Sequence, residues 1–163
     1  MSLSNAQEIN LIGAASGNES ELVQYLTFMM AQEEYGIEIL SVQEIRGWEA
    51  MTSIPNAPDY VKGVINLRGT VVPVIDLRLR FQLEKVDYSD ITVVVIVKVL
   101  IEDNEKIMGI VVDAVSDVYN LDKDAAAQTP DIGEVANKEF IDGLINVGDK
   151  MVVLLDLEKI LDI

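Results

Sequence analysis

Two aspartates, Asp76 and Asp156, each end an apolar run, in the contexts VVPVIDL and MVVLLDL. A pair of carboxylates could do general acid–base work if they met in one pocket. Each instead recurs at the same local boundary, just before LRLRF or LEKIL, where aspartate accepts backbone N–H bonds as a helix N-cap. Capping is the expected role. A second acidic group, Asp113, Asp117, Asp122 and Asp124, has carboxylates enough for a divalent cation. The EF-hand order, with its glycine at the sixth loop position and terminal glutamate, is missing after Asp122, so a solvated acidic face is expected. The chain has no histidine and no cysteine, which removes the commonest general base, the thiol nucleophile and the usual zinc ligands. No nucleophile elbow, phosphate-binding loop or dinucleotide fingerprint occurs. One cation stands out instead: Arg68, raised with Gly69 between the apolar runs of GVINLRGTVVPVIDL.

That segment is repeated. Tyr60–Phe81 aligns with Phe140–Leu161 at a constant offset of 80, matching Gly63 to Gly143, Asn66 to Asn146, Val72 to Val152 and Asp76 to Asp156. Upstream, GIEILSVQEI at 36–45 parallels GIVVDAVSDV at 109–118 at an offset of 73, matching Val42 to Val115 and Glu44 to Asp117. A repeated supersecondary unit governs every later fold argument. YLTFMMA (25–31) and VVVIVKVLI (93–101) open the two units as β-rich strands. Polar hairpin tips are expected at Glu33-Glu34 and at Glu102–Glu105, followed by return strands at Tyr35 and Met108. Short strands with frequent turn signals favour an all-β fold of small barrels or a sandwich, with short helices. Two units too small for a sufficient core of their own are expected to pack side by side as one body with a cleft between barrels. The first unit is placed at roughly 25–88 and the second at roughly 89–163, with exchange of strands between them left open. Residues 1–20 are expected to be a flexible tail.

The copies differ at the turn. Arg68-Gly69 in the first becomes Gly148-Asp149 in the second. The turn therefore forms without an arginine. Its five-donor fork is suited to a carboxylate or carbonyl, either on a partner or within the fold at Glu44 or Glu38. Trp48 is read as a half-buried loop residue or a partner anchor.

The bulk numbers narrow the classes. A chain of 163 residues buries roughly 70% of its unfolded surface, enough for a real core. A net charge of −16 opposes nucleic acid and anionic membranes. Apolar runs such as Val93–Val97 are far too short to span a bilayer, and no signal peptide is visible, so a cytoplasmic location is expected. A binding module without catalytic equipment fits these features. A stand-alone barrel that binds a peptide or nucleic acid is the alternative within that class. A histidine-free enzyme using Asp76 and Asp156 is the alternative outside it.

In order and spacing, YGIEILSVQEIRG, IPNAPDYVKGVINLRGTVVPVIDLRLRF, GIVVDAVSDV, FIDGL and MVVLLDLEKIL resemble the CheW family, coupling scaffolds of bacterial chemotaxis. The likeness runs from about Tyr25 to the C-terminus. It implies two five-stranded SH3-like barrels, no catalytic activity and no cofactor or metal. It implies two partners: the histidine kinase CheA, through its CheW-like regulatory domain, and the helical cytoplasmic tip of methyl-accepting chemoreceptors. The chain would reach the inner face of the membrane through receptor arrays, without insertion. By position, the receptor-binding groove would take Ile39, Val42, Glu44, Gly63, Arg68 and Val115. The kinase-binding surface would take Val93, Val95 and Met151.

Overall fold

A computed structural model describes residues 22–128 and 137–163, so the expected tail at 1–20 lies outside the described residues. Ten strands follow in chain order: β1 (Leu22–Met30), β2 (Glu33–Glu38), β3 (Val42–Gly47), β4 (Val61–Leu67), β5 (Thr70–Asp76), β6 (Val93–Ile101), β7 (Asn104–Val112), β8 (Ala114–Asp122), β9 (Ile141–Val147) and β10 (Lys150–Leu155). Two short helices, α1 (Leu77–Arg80) and α2 (Leu157–Leu161), follow β5 and β10. As expected of N-caps, Asp76 accepts from the Leu79 amide and Asp156 from the Lys159 amide, each at 3.3 Å.

The strands form two five-stranded sheets, ordered β8-β1-β2-β10-β9 and β3-β6-β7-β5-β4. Each curls as an SH3-like barrel. The two orders are one pattern with the repeats interchanged. Each unit gives its opening hairpin to the barrel completed by the other unit's last three strands. Parallel pairing of β10 on β2 and of β5 on β7 seals both exchanges. One barrel is therefore continuous, from β3 to β7, while the other joins β1 and β2 to β8, β9 and β10. The boundary near residue 88 divides the sequence repeats but not the barrels. The cause lies in the connections: only 39–41 link β2 to β3 and only Asp113 links β7 to β8, so the chain passes straight from one sheet into the next.

The first hairpin tip is Ala31-Gln32, both at positive φ, with Glu33 and Glu34 already inside β2. The acidic pair expected at the tip is thus displaced into the strand. Glu34 is buried, and its Oε1 accepts from Lys150 Nζ at 3.0 Å. A charge tethered to a lysine across the sheet reads in sequence like a solvated turn.

Three cores result. Val72, Val74, Val94, Ile96 and Val111 fill the continuous barrel. Tyr25, Leu121, Ile145, Val152 and Leu154 fill the composite one. Between the sheets lies a larger shared core that includes Phe28, Ile37, Val95, Val97, Ile110 and Phe140. β6 shows how the sequence serves two of them. Val94 and Ile96 point into their barrel while Val95, Val97 and Val99 point into the shared core. An unbroken apolar run is what a strand buried on both faces requires.

Candidate functional site

β3 lies at one edge of its sheet and β4 at the other. Closing the barrel brings those edges together. The Val64 amide donates to the Thr52 carbonyl at 2.8 Å, and Arg68 Nη1 donates to Glu44 Oε1 at 3.1 Å. Arg68 stands on the β4–β5 turn at φ 51°, followed by Gly69 at φ 90°, whose amide donates to Asn66 Oδ1 at 2.8 Å. In the second copy Gly148 takes the Arg68 position at φ 65°. The arginine thus occupies a left-handed position that its duplicate fills with glycine, at a backbone cost of roughly 1 kcal/mol. Its side chain stays 75% exposed while that of Glu44 is 30% exposed. The guanidinium is anchored through one nitrogen and open to a partner through the rest. Arg46 extends the polar string, lying 3.9 Å from Glu44 and 3.4 Å from Glu49.

Ile39, Val42 and Val115 are half-buried, and all three pack on the shared core between the barrels. Val42 on β3 and Val115 on β8 are repeat equivalents, and each sits beside a bulge, opposite Val97 and Phe28 respectively. Five of the six residues expected at the receptor groove therefore fall into two sets: three apolar side chains on one core, and the Glu44–Arg68 pair on the edge of the β3 sheet. Gly63 is different. It is buried at φ 149°, and a Cβ there would lie 2.2 Å from the Thr52 carbonyl oxygen. Its place in the motif is explained by backbone closure of the barrel, where no side chain fits.

The expected kinase-facing set also divides. Val95 is fully buried in the shared core, and Val93 is half-buried against it. Val95 forms no outer surface, because β6 is the two-faced strand described above, while Val93, at the start of β6, stays partly exposed. Met151, 46% exposed, does reach the surface. Sequence reasoning missed its duplicate Val71, 67% exposed, and the pair Ile45 and Val118, 43% and 46% exposed. The offsets of 80 and 73 that define the repeats could have flagged both pairs.

The residues considered for catalysis are committed elsewhere. Asp76 is buried, capping α1 and accepting a hydrogen bond from the Tyr88 hydroxyl. Asp156 caps α2 in the other sheet and lines a cleft that does not reach Asp76. Asp122 caps the turn at Lys123–Ala125 through the Asp124 amide. Asp113 accepts from Arg78 Nε at 2.9 Å, Arg78 Nη2 at 2.8 Å and the Ala31 amide at 3.0 Å. Burial alone would raise the Asp113 carboxyl, but these bonds and the arginine's charge outweigh it and hold the pKa below the usual carboxylate range. Trp48 packs on Tyr88 at 4.2 Å between ring centroids and belongs to the barrel wall. Among the described residues, no group of three or more carboxylates could hold a metal ion, and no helix is long and apolar enough to cross a membrane.

Residues 24–163 match the sequence family described as the CheW-like domain. The chain is 44% identical over 138 residues to "Chemotaxis protein CheW" of Klebsiella aerogenes, covering 85% of this chain and 81% of that protein. It is 31% identical over 137 residues to the chemotaxis protein CheW of Bacillus subtilis, covering 84% and 85%. Among solved structures, the scaffolding protein TtCheW of Thermoanaerobacter tengcongensis superimposes with a TM-score of 0.76 at 29% identity, covering 93% of this chain and 95% of that one. With a family match across most of its length and a fold shared with a solved CheW scaffold, the chain belongs to the CheW-like family of non-catalytic chemotaxis scaffold proteins.

Proposed function

We propose that this chain is the adaptor that couples transmembrane chemoreceptors to the histidine kinase CheA. The observation that carries this reading is the exposed Arg68, held by Glu44 at a left-handed turn that the duplicate copy fills with glycine. Beside the shared core, Ile39, Val42 and Val115 supply an apolar strip for the helical receptor tip, and the Glu44–Arg68 pair supplies charges that set its register. Gly63 is left out of the contact set because its part is structural. On the kinase side Met151 and the half-buried Val93 remain as contacts, with Val95 assigned to the core. Such an adaptor works in the cytoplasm and is recruited to the inner face of the membrane by the receptors.

The test is reconstitution of the purified chain with CheA and a receptor fragment, reading complex formation and the rate of kinase phosphorylation. Arg68→Ala should weaken receptor-dependent control of the kinase several-fold. Its melting temperature should fall by no more than about 4 °C, since an exposed ion pair contributes about 0.2–1 kcal/mol. Failure of the unmodified chain to bind either partner would overturn the reading. A collapse of Arg68→Ala stability would instead make the arginine structural.

A further inference from the structure

The duplicated fold contains the same joint twice, and only one copy is closed. At the closed joint Asp113 receives both Arg78 bonds and the Ala31 amide, and its own amide donates to the Met29 carbonyl at 3.1 Å. Arg78 Nη1 also donates to the Glu84 carbonyl at 3.1 Å. The repeat offsets identify the other joint. Asp113 corresponds to Leu40 and Arg78 to Glu158. Thr27 pairs with Gly36 as Ile96 pairs with Gly109, which makes Lys98 the counterpart of Met29. The ion-pair clasp is therefore absent at the second joint, and the space stands open. A cleft of about 470 Å³ lies there, with Ser41, Lys98, Leu100 and Glu158 in its walls. The β6–β7 hairpin, two residue pairs longer than β1–β2 beyond the matched glycines, adds Leu100 to that wall.

The chemistry of the opening selects its occupant. Four carboxylates, Glu38, Asp142, Asp156 and Glu158, line the cleft against two lysines. Lys123 is held by Glu38 at 3.2 Å and Asp142 at 3.7 Å, and Lys98 by Glu105 at 3.4 Å. Asp156 caps α2. Glu158 is exposed and makes no ion pair among the described residues. Val99, Leu100, Leu155 and Leu157 are the apolar residues of the lining, with Leu100 61% exposed, and Leu40, 89% exposed, stands beside Ser41 at the rim without lining the cleft. Where the closed joint receives a guanidinium from α1, the open one presents an uncommitted carboxylate and two bare leucines. We propose that this cleft docks a segment of another protein that presents an arginine or lysine beside an aliphatic side chain. The site is distinct from the Glu44–Arg68 edge: none of Ile39, Val42, Glu44, Arg68 or Val115 lines it. The inference does not depend on which partners that edge serves.

The full chain, labelled with nitrogen-15, is titrated at low salt with the peptide acetyl-Leu-Arg-Leu-Arg-amide, and with its counterpart carrying glutamine for arginine. Amide shifts should concentrate at Ser41, Leu100 and Glu158 with the arginine peptide. Binding should weaken at least about tenfold with the glutamine peptide, and equally with Glu158→Gln, as expected for loss of a charge-assisted bond. The double variant Leu40→Asp/Glu158→Arg rebuilds the clasp of the closed joint; it should stay folded, shown by an unchanged spectrum in the barrel cores, and bind neither peptide. Shifts scattered over the acidic surface, or shifts at the cleft that Glu158→Gln leaves intact, overturn the proposal. So does concentration-dependent self-association of the unmodified chain that Glu158→Gln abolishes, because the occupant would then be a second copy.

Discussion

Asp113→Ala tests how the closed joint holds the two barrels together. The carboxylate accepts three hydrogen bonds, two from a guanidinium whose side chain is only 15% exposed; Asp113 itself is 28% exposed. Removing it leaves Arg78 without its counter-charge and the Ala31 amide without its acceptor. Breaking a fully buried ion pair in this way costs about 3–5 kcal/mol. The partial exposure of the carboxylate places this one at the lower end, at about 3 kcal/mol. For a chain of this size that is a fall of about 6–12 °C in melting temperature. Urea denaturation followed by circular dichroism at pH 7 measures it, with Asp113→Asn, which keeps one acceptor, falling roughly halfway. The same carboxyl has a pKa below its unfolded value. Its contribution is therefore complete above the ordinary carboxylate pKa of about 3.9 and is lost as pH falls through the lower, folded value. Below pH 4 the stability gap between Asp113→Ala and the unmodified chain should narrow. A variant that melts within about 1 °C of the unmodified protein at pH 7, or a gap that widens in acid, refutes the reasoning.

Two further pairs of substitutions separate structural from docking roles. Gly63→Ala should destabilise by about 3 kcal/mol or more, because the new methyl meets the Thr52 carbonyl and the positive φ is unfavourable; Gly143→Ala, whose nearest contact would be 3.0 Å from the Ala126 Cβ, should cost visibly less in the same melt. Val95→Ala should cost about 2 kcal/mol as a core truncation, whereas Met151→Ala should stay within about 0.5 kcal/mol. Kinase binding by Val95→Ala, measured per folded molecule, should be unchanged; a selective binding loss there would return Val95 to the contact surface.

What was legible in the sequence was whatever depends on a residue and its near neighbours. The offsets of 80 and 73 revealed the duplication, and the position of Asp76 and Asp156 after apolar runs revealed two N-caps. Strand partnership was not legible. β1 alternates just as well against β8 as against any other strand, so the pattern cannot say which repeat completes which barrel. The same limit explains Val95: a strand wedged between two cores has no outer face, and only the shared core between the sheets makes β6 such a strand. Glu34 failed for a related reason, since its neutralising Lys150 is far away in sequence and adjacent only through the parallel β10–β2 pairing. Gly63 looked like a site residue because it sits in a distinctive motif; the motif is distinctive there because the backbone of residue 52 passes too close for a side chain.

The exchange of hairpins also constrains how such a chain can transmit a signal. Each barrel contains strands from both repeats, so the two repeats cannot part without breaking β1–β8, β3–β6 and both parallel pairings. Moving one sheet against the other would also expose a shared core to which β1, β2, β6, β7, both helices and Phe140 all contribute. At the far side Arg80 fastens α1 to α2, donating to the Ile160 carbonyl at 3.0 Å with its guanidinium 4.7 Å from the Phe140 ring centroid. A body cross-braced in this way is poorly suited to a hinge between barrels. Its surfaces are held at fixed separations, so under the proposed adaptor function a partner's movement at one edge would be passed on by displacing the whole body. The variable parts are then the places where the repeats have diverged, the Arg68 turn and the open joint at Leu40 and Glu158, because there a change of side chain alters what docks without disturbing the frame.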